Sequence, residues 1–483
     1  MSKVVTRYLL FCVSVVQIFC ISAAAQNSKP AAKVTIEITA ASKINISGEF
    51  ISSRKRPKSL SFELSAAGFD GLGERIKALR LTNGKDEEIK YKTFIPGEYL
   101  ADVDITGWSY QIDLSPRKEK KSAAHISWAS KTTAVLMLGD LLPQAEGEMF
   151  IELKLPKGWN SIGGGKIEDA ARSVVIAASG LRTQNITTPK GGKIAITTIG
   201  EWRFTDAESA EFAQQIFDSY SDLFGTMPVG QINVNILPFP EKTGFGEWQA
   251  ETRGRNVTII SSDMAFSTQS VQRLHEQLRH EVFHLWMPNL IKLNGSYDWF
   301  YEGFALYESL KLGLALNRIS FADYLDTLSR AATIDAFQTN RTSLIEASKS
   351  RKIGSDTFIY ARGMLTAFLC DAAMLERSKG KKPVETILRS LFEKASKTET
   401  LDANEVIVGV MSERPELVPV VKKYIEGNEY LDITPAMSAI GLENIGEGKR
   451  VSLKVLKKPS GRQKEILNKL GYNNWRKLSP NRK

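Results

Sequence analysis

The feature that most constrains this chain is a change of hydrophobic period near residue 200. Before it, apolar residues alternate. Val34, Ile36 and Ile38 do so in "KVTIEIT", Leu60, Phe62 and Leu64 in "LSFEL", Ile151, Leu153 and Leu155 in "IELKL", and Ile194 and Ile196 in "KIAIT". Period two puts such side chains on one face of a strand, and the Gly, Pro, Asn and Ser clusters between the runs supply turns. "GGGK" at 163–166 reads as one of these turns, because it lacks the spacing of a phosphate loop. After residue 200 the step lengthens to three and four. "DAESAEFAQQIFDSYSDLF" is helical, and so are the runs Val271, Leu274, Leu278, Val282, Leu285 and Val384, Ile387, Leu388, Leu391. Only "INVNILPFP" and "NVTIIS" interrupt as strands, and Asp402 with Glu405 resembles a capping box.

The two periods cannot share one layer, and 483 residues exceed one compact core. A multidomain α+β chain is expected: a β-sheet domain over 27–199, a mixed domain over 200–345, a helical region over 346–446 and a basic tail over 447–483. The start, "MSKVVTRYLLFCVSVVQIFCISAAAQ", has a basic head (Lys3, Arg7), an apolar centre and small residues. That predicts a signal peptide over 1–25 and a secreted or periplasmic mature protein. No later segment reads as apolar for long enough to span a bilayer. Beyond Cys12 and Cys20, Cys370 stands alone, so no internal disulfide is expected. The net charge of +10 is concentrated in 449–483, where twelve Lys or Arg face one acid, Glu465. The near-neutral remainder argues against a nucleic-acid partner. The tail reads as solvated, with weak contact to an anionic envelope surface as the alternative.

The chain has four histidines, and His275, His280 and His284 fall within "HEQLRHEVFH". Residues four apart share a helical face, so His280 and His284 can aim at one ion. Zinc accepts two imidazoles and a carboxylate and leaves a position open for chemistry. Glu281 lies beside that face, where a general base is needed. Glu302, eighteen residues after His284 in "YDWFYEGFALYESL", supplies the third ligand from a following antiparallel helix. Gly303 is expected to let that helix approach the first. His275 sits on another face and reads as structural or solvated, and Glu308 has no role from spacing.

"HEVFHLWMPNLI…WFYEGFALY" resembles the zinc aminopeptidases, in which H-E-x-x-H is followed by W-x-x-E-G-F. Trp286 and Asn289 resemble the alanyl aminopeptidase family. "YIEGNEYLDITPAMSAIGLE" and "LPKGWN" resemble the glycyl aminopeptidase family. The resemblance implies a thermolysin-like catalytic domain, one zinc ion held by His280, His284 and Glu302, Glu281 as base, and a peptide substrate. It also implies an oxyanion-stabilising role for Tyr360, in "FIYARGMLTAF", with Gly363. The alanyl family holds the substrate amino terminus with the glutamate of a G-x-M-E-N strand. Glu247, in "GFGEW", is the candidate here, although it stands thirty-three residues before His280. "RGRN" at 253–256 fits the following strand better and has no glutamate. Arg253 or Arg255 would then face a carboxylate-bearing substrate. Two rival readings use the same residues: a zinc hydrolase of non-peptide amides or esters, and an inactive peptidase-like binding protein.

Overall fold

The structure is a computed structural model that describes residues 31–39, 42–51, 56–145, 147–291, 293–339, 341–351, 356–395 and 401–474. The expected signal peptide lies outside them. The chain is multidomain α+β, with sheets first and helices last. A six-stranded sheet runs in the order 165–167, 149–154, 32–38, 43–50, 107–113, 76–82. Its strand Ala32–Ile38 alternates as the sequence demands, burying Val34, Ile36 and Ile38. A four-stranded sheet (128–129, 133–137, 174–179, 159–162) contributes Leu136, Val175 and Ala177 to the same core. Gly163, Gly164 and Gly165 all have positive φ in the turn between Trp159–Ile162 and Gly165–Ile167, a conformation that costs glycine little.

A five-stranded sheet begins the second unit, in the order 182–187, 193–198, 231–238, 256–261, 248–253. Its three inner strands are parallel and buried, and its two outer ones are antiparallel. Burial on both faces replaces alternation by near-continuous apolar runs, as in "NVTIIS". The strand "KIAIT", read from sequence with the β domain, belongs here: Ile194 and Ile196 register with Ile232 and Val234. Alternation identifies a strand but not its partner, so the sheet boundary falls earlier than residue 199. Helix Asp206–Phe224 follows, opened by a Thr205–Glu208 capping box and closed by Gly225 at φ 71°.

Three helices carry the candidate site: the ligand helix Ser267–Phe283, the glutamate helix Asp298–Ala315 and the tyrosine helix Asp356–Arg377. The tyrosine helix is long and apolar enough to cross a membrane, contrary to the sequence expectation, but 89% of its apolar window is buried inside the fold. Its Arg362 bonds Asp335, and its Asp371 bonds Lys311. Asp402 caps the helix Ala403–Ser412 by accepting from the Glu405 amide.

The described part of the basic tail is not solvated coil. Leu453–Val455 pairs with Leu442–Asn444, and helix Gly461–Lys469 buries Ile466, Leu467 and the following Leu470 in the helical core. A Ser460–Gln463 capping box starts that helix. The charge run obscured this short amphipathic pattern.

Candidate metal centre

His280 begins the last turn of the ligand helix, and His284 is its C-terminal cap, still in helical backbone. The four-residue step therefore survives, and both imidazoles face the glutamate helix. Their Nε2 atoms are 3.2 Å apart. Glu302 Oε2 lies 3.3 Å from His280 Nε2 and 3.4 Å from His284 Nε2. The three ligand atoms fall within 4.8 Å of one another, and all three residues are buried. His284 Nδ1–H donates to the Met287 carbonyl at 2.9 Å. A carbonyl only accepts, so this bond turns Nε2 toward the cluster. Glu302 Oε2 is buried without a hydrogen bond, as is His280 Nδ1. A cation fits this donor set: three converging lone-pair atoms, one orphaned carboxylate oxygen and two imidazoles suit a metal ion.

The electrostatics agree. Burial works against a charged His284, but the Glu302 carboxylate outweighs it and pushes the imidazole up to about 9. Burial alone would raise Glu302; the charges of His284 and His280 beside it instead hold it far below the usual carboxylate range. A metal ion at this cluster would compete with a proton for the same nitrogen and oxygen atoms.

Glu281 is buried, and its Oε2 lies 2.9 Å from Thr252 Oγ1, which is also 2.9 Å from the Glu281 carbonyl. Thr252 sits on the edge strand Trp248–Arg253 and carried no signal in the sequence. Asn289 locks the same junction: it donates to the His284 and Thr252 carbonyls at 2.8 and 3.1 Å and accepts from Gly254 N and Arg172. Trp286 is buried against Phe224, and its indole N–H donates to the Thr226 carbonyl.

Tyr360 comes in from the tyrosine helix, its ring centroid 6.5 Å from that of His280. Two glycines bring it there. A Cβ on Gly303 would lie 2.4 Å from Gly363 C, and one on Gly363 would lie 2.4 Å from the Trp299 carbonyl oxygen. The glutamate and tyrosine helices therefore cross backbone to backbone. This corrects the sequence expectation for Gly303: its close approach is to the tyrosine helix. Gly313 is the glycine set against the ligand helix, where a Cβ would meet Arg279 Cζ at 3.0 Å. His275 is structural. Its Nδ1 accepts from Arg279 at 2.7 Å, and burial, with Arg279 and Arg318 nearby, pushes it down to about 3. Glu308 is buried beside Lys311, Asp371 and Glu385, and burial with its acidic neighbours raises its pKa well above the usual range.

Glu247 is not brought to this cluster. It precedes the edge strand, half exposed, 3.5 Å from Lys120 Nζ. At about 3.3 Å per residue it stands roughly 16 Å along the strand from Thr252. The arginines considered for a substrate carboxylate are also placed elsewhere. Arg253 is bound to Glu251 and to the His125 carbonyl, and Arg255 is exposed beside Gly230.

No protein-family model and no curated protein matches the chain. Solved structures do match in fold. An aminopeptidase N family protein from Idiomarina loihiensis superposes with TM-score 0.72 at 15% identity, covering 86% of this chain and 79% of that one. An M1 zinc metallopeptidase from Deinococcus radiodurans gives 0.52 at 11% identity, covering 83% and 94%. A glutamate-to-alanine mutant of that metallopeptidase bound to a Tyr-Ser-Ala substrate gives 0.54 at 12% identity, with the same coverage. The chain thus shares its fold with these aminopeptidase N family and M1 zinc metallopeptidase structures, at a sequence distance where fold alone is shared, and it carries a buried His-His-Glu cluster of its own.

Proposed function

We propose that the chain is a secreted zinc-dependent peptidase, aminopeptidase-like, in which Glu281 is the general base. The observation that carries this reading is the meeting of three ligand atoms within 4.8 Å beside a second carboxylate fixed by Thr252. His280, His284 and Glu302 would hold one zinc ion, and zinc bound there supplies Lewis acidity to a carbonyl and to water. Glu281 takes the proton of the attacking water and later delivers it to the leaving amine. Tyr360 donates a hydrogen bond to the scissile oxygen as that oxygen gains charge. The likeness to peptidase folds supports the reaction class. The basic-apolar-small pattern of 1–25 supports export to the periplasm or exterior. The near-neutral body supports a peptide rather than a nucleic acid as partner.

The test is Glu281→Gln, assayed on a peptide library with free and blocked amino termini. The variant should keep its zinc and lose at least about 10³-fold in turnover. Full turnover by the variant, or no cleavage by the zinc-loaded wild type, would overturn the reading. Cleavage of blocked peptides would keep the peptidase and remove the aminopeptidase.

A further inference from the structure

Around the metal cluster runs a chain of polar contacts that the reaction as described does not use. Arg351 Nη1 bonds Asp298 Oδ1, and Arg351 Nη2 donates to the Tyr360 hydroxyl oxygen at 3.3 Å. Asp298 is buried at the first residue of the glutamate helix and also accepts from the Tyr301 hydroxyl at 2.8 Å. The Tyr301 ring packs edge-on to His284, with centroids 5.8 Å apart. One guanidinium thus links the start of the Glu302 helix to the hydroxyl of Tyr360.

We propose that Arg351 is a positioning residue that sets the direction in which the Tyr360 hydroxyl donates. The proposal deepens, and rests on, the role given to Tyr360 above. A guanidinium has donors and no acceptor, so in this pair the phenol oxygen must accept. The phenol's own O–H is then kept for another acceptor. Accepting from a cation also polarises that O–H and strengthens it as a donor. Asp298 makes the arrangement rigid. It engages one nitrogen of a planar fork, so the other is presented in a set direction, which a lysine could not reproduce. Arg351 does not touch substrate in this scheme; it acts through Tyr360.

The test is a double-mutant cycle on the zinc-loaded, full-length protein with Arg351→Met and Tyr360→Phe, joined by a spectroscopic arm. Arg351→Gln serves as a second variant that keeps a polar head for buried Asp298. Arg351→Met should lower kcat about tenfold, with KM unchanged within about twofold. In the Tyr360→Phe background the same change should alter kcat less than about twofold. In the other arm, Tyr360→3-fluorotyrosine is followed by fluorine NMR, and removing Arg351 should shift its resonance. Losses that multiply in the double variant, or a resonance that does not move in either Arg351 variant, would overturn the proposal. If the wild type cleaves no peptide, the proposed function falls, and the fluorine arm alone decides whether Arg351 sets the phenol.

Discussion

Two histidine–glutamate clusters flank the edge strand, and they differ in whether their bonds are closed. Between the β domain and the edge strand, His125 Nδ1 is 2.6 Å from Glu251 Oε2, and Arg253 Nε is 2.7 Å from Glu251 Oε1. Arg253 then donates to the His125 carbonyl at 2.8 Å. Both Glu251 oxygens are bonded, and the cluster is a closed clasp. Burial would raise Glu251, but His125 and Arg253 outweigh it and hold its pKa low. In the other cluster two Nε2 atoms face each other at 3.2 Å, and the Glu302 oxygen between them has no hydrogen bond. That geometry is repulsive unless one cation is shared. Similar residue types therefore make a structural clasp where every bond is closed and a candidate ligand site where the donor atoms converge on a point.

Three perturbations would break or sharpen that contrast. The largest is His284→Ala, which should weaken zinc binding at least about 100-fold, read by chelator competition. His125→Ala should leave zinc affinity unchanged; a parallel loss there would mean that the clusters are not distinct. Next is the helix crossing under the ligand site alone. Gly303→Ala puts a methyl into the backbone of Gly363 and should cost about 1–3 kcal/mol in denaturant unfolding. Gly409→Ala, with nothing within 4 Å of the added Cβ, should be neutral or slightly stabilising. The smallest effect is expected at the clasp. Glu251 has a lowered folded pKa, so its contribution is present in full above the unfolded value of about 4.3 and is lost as pH falls through the folded one. Glu251→Gln should therefore cost up to about 1 kcal/mol at neutral pH, and its deficit should shrink in melts below about pH 4. A deficit that grew on acidification would contradict the sign.

The convergence of the candidate ligands was legible because helical spacing is local. His280 and His284 share a face whatever else folds, and a third ligand on the next helix is a short-range expectation. Strand and helix types were legible for the same reason. Sheet membership was not, since Ile194 and Ile196 alternate equally well in either sheet. Glu247 was read from a pentapeptide likeness, and distance along the edge strand separated it from Thr252. The basic tail was read from charge, while three apolar residues, Ile466, Leu467 and Leu470, decided its burial.

By itself, the sequence determined the periodicities, the two-histidine face with its adjacent carboxylate, and the chemistry that such a set favours. Only the tertiary structure decided that Gly303 meets Gly363 and so delivers Tyr360. It also decided that Thr252 holds Glu281, and that Arg351 joins Asp298 to the phenol. The physical reason is separation along the chain. Contacts within a helical turn are written in residue spacing, whereas contacts between residues tens of positions apart exist only once helices and strands have packed.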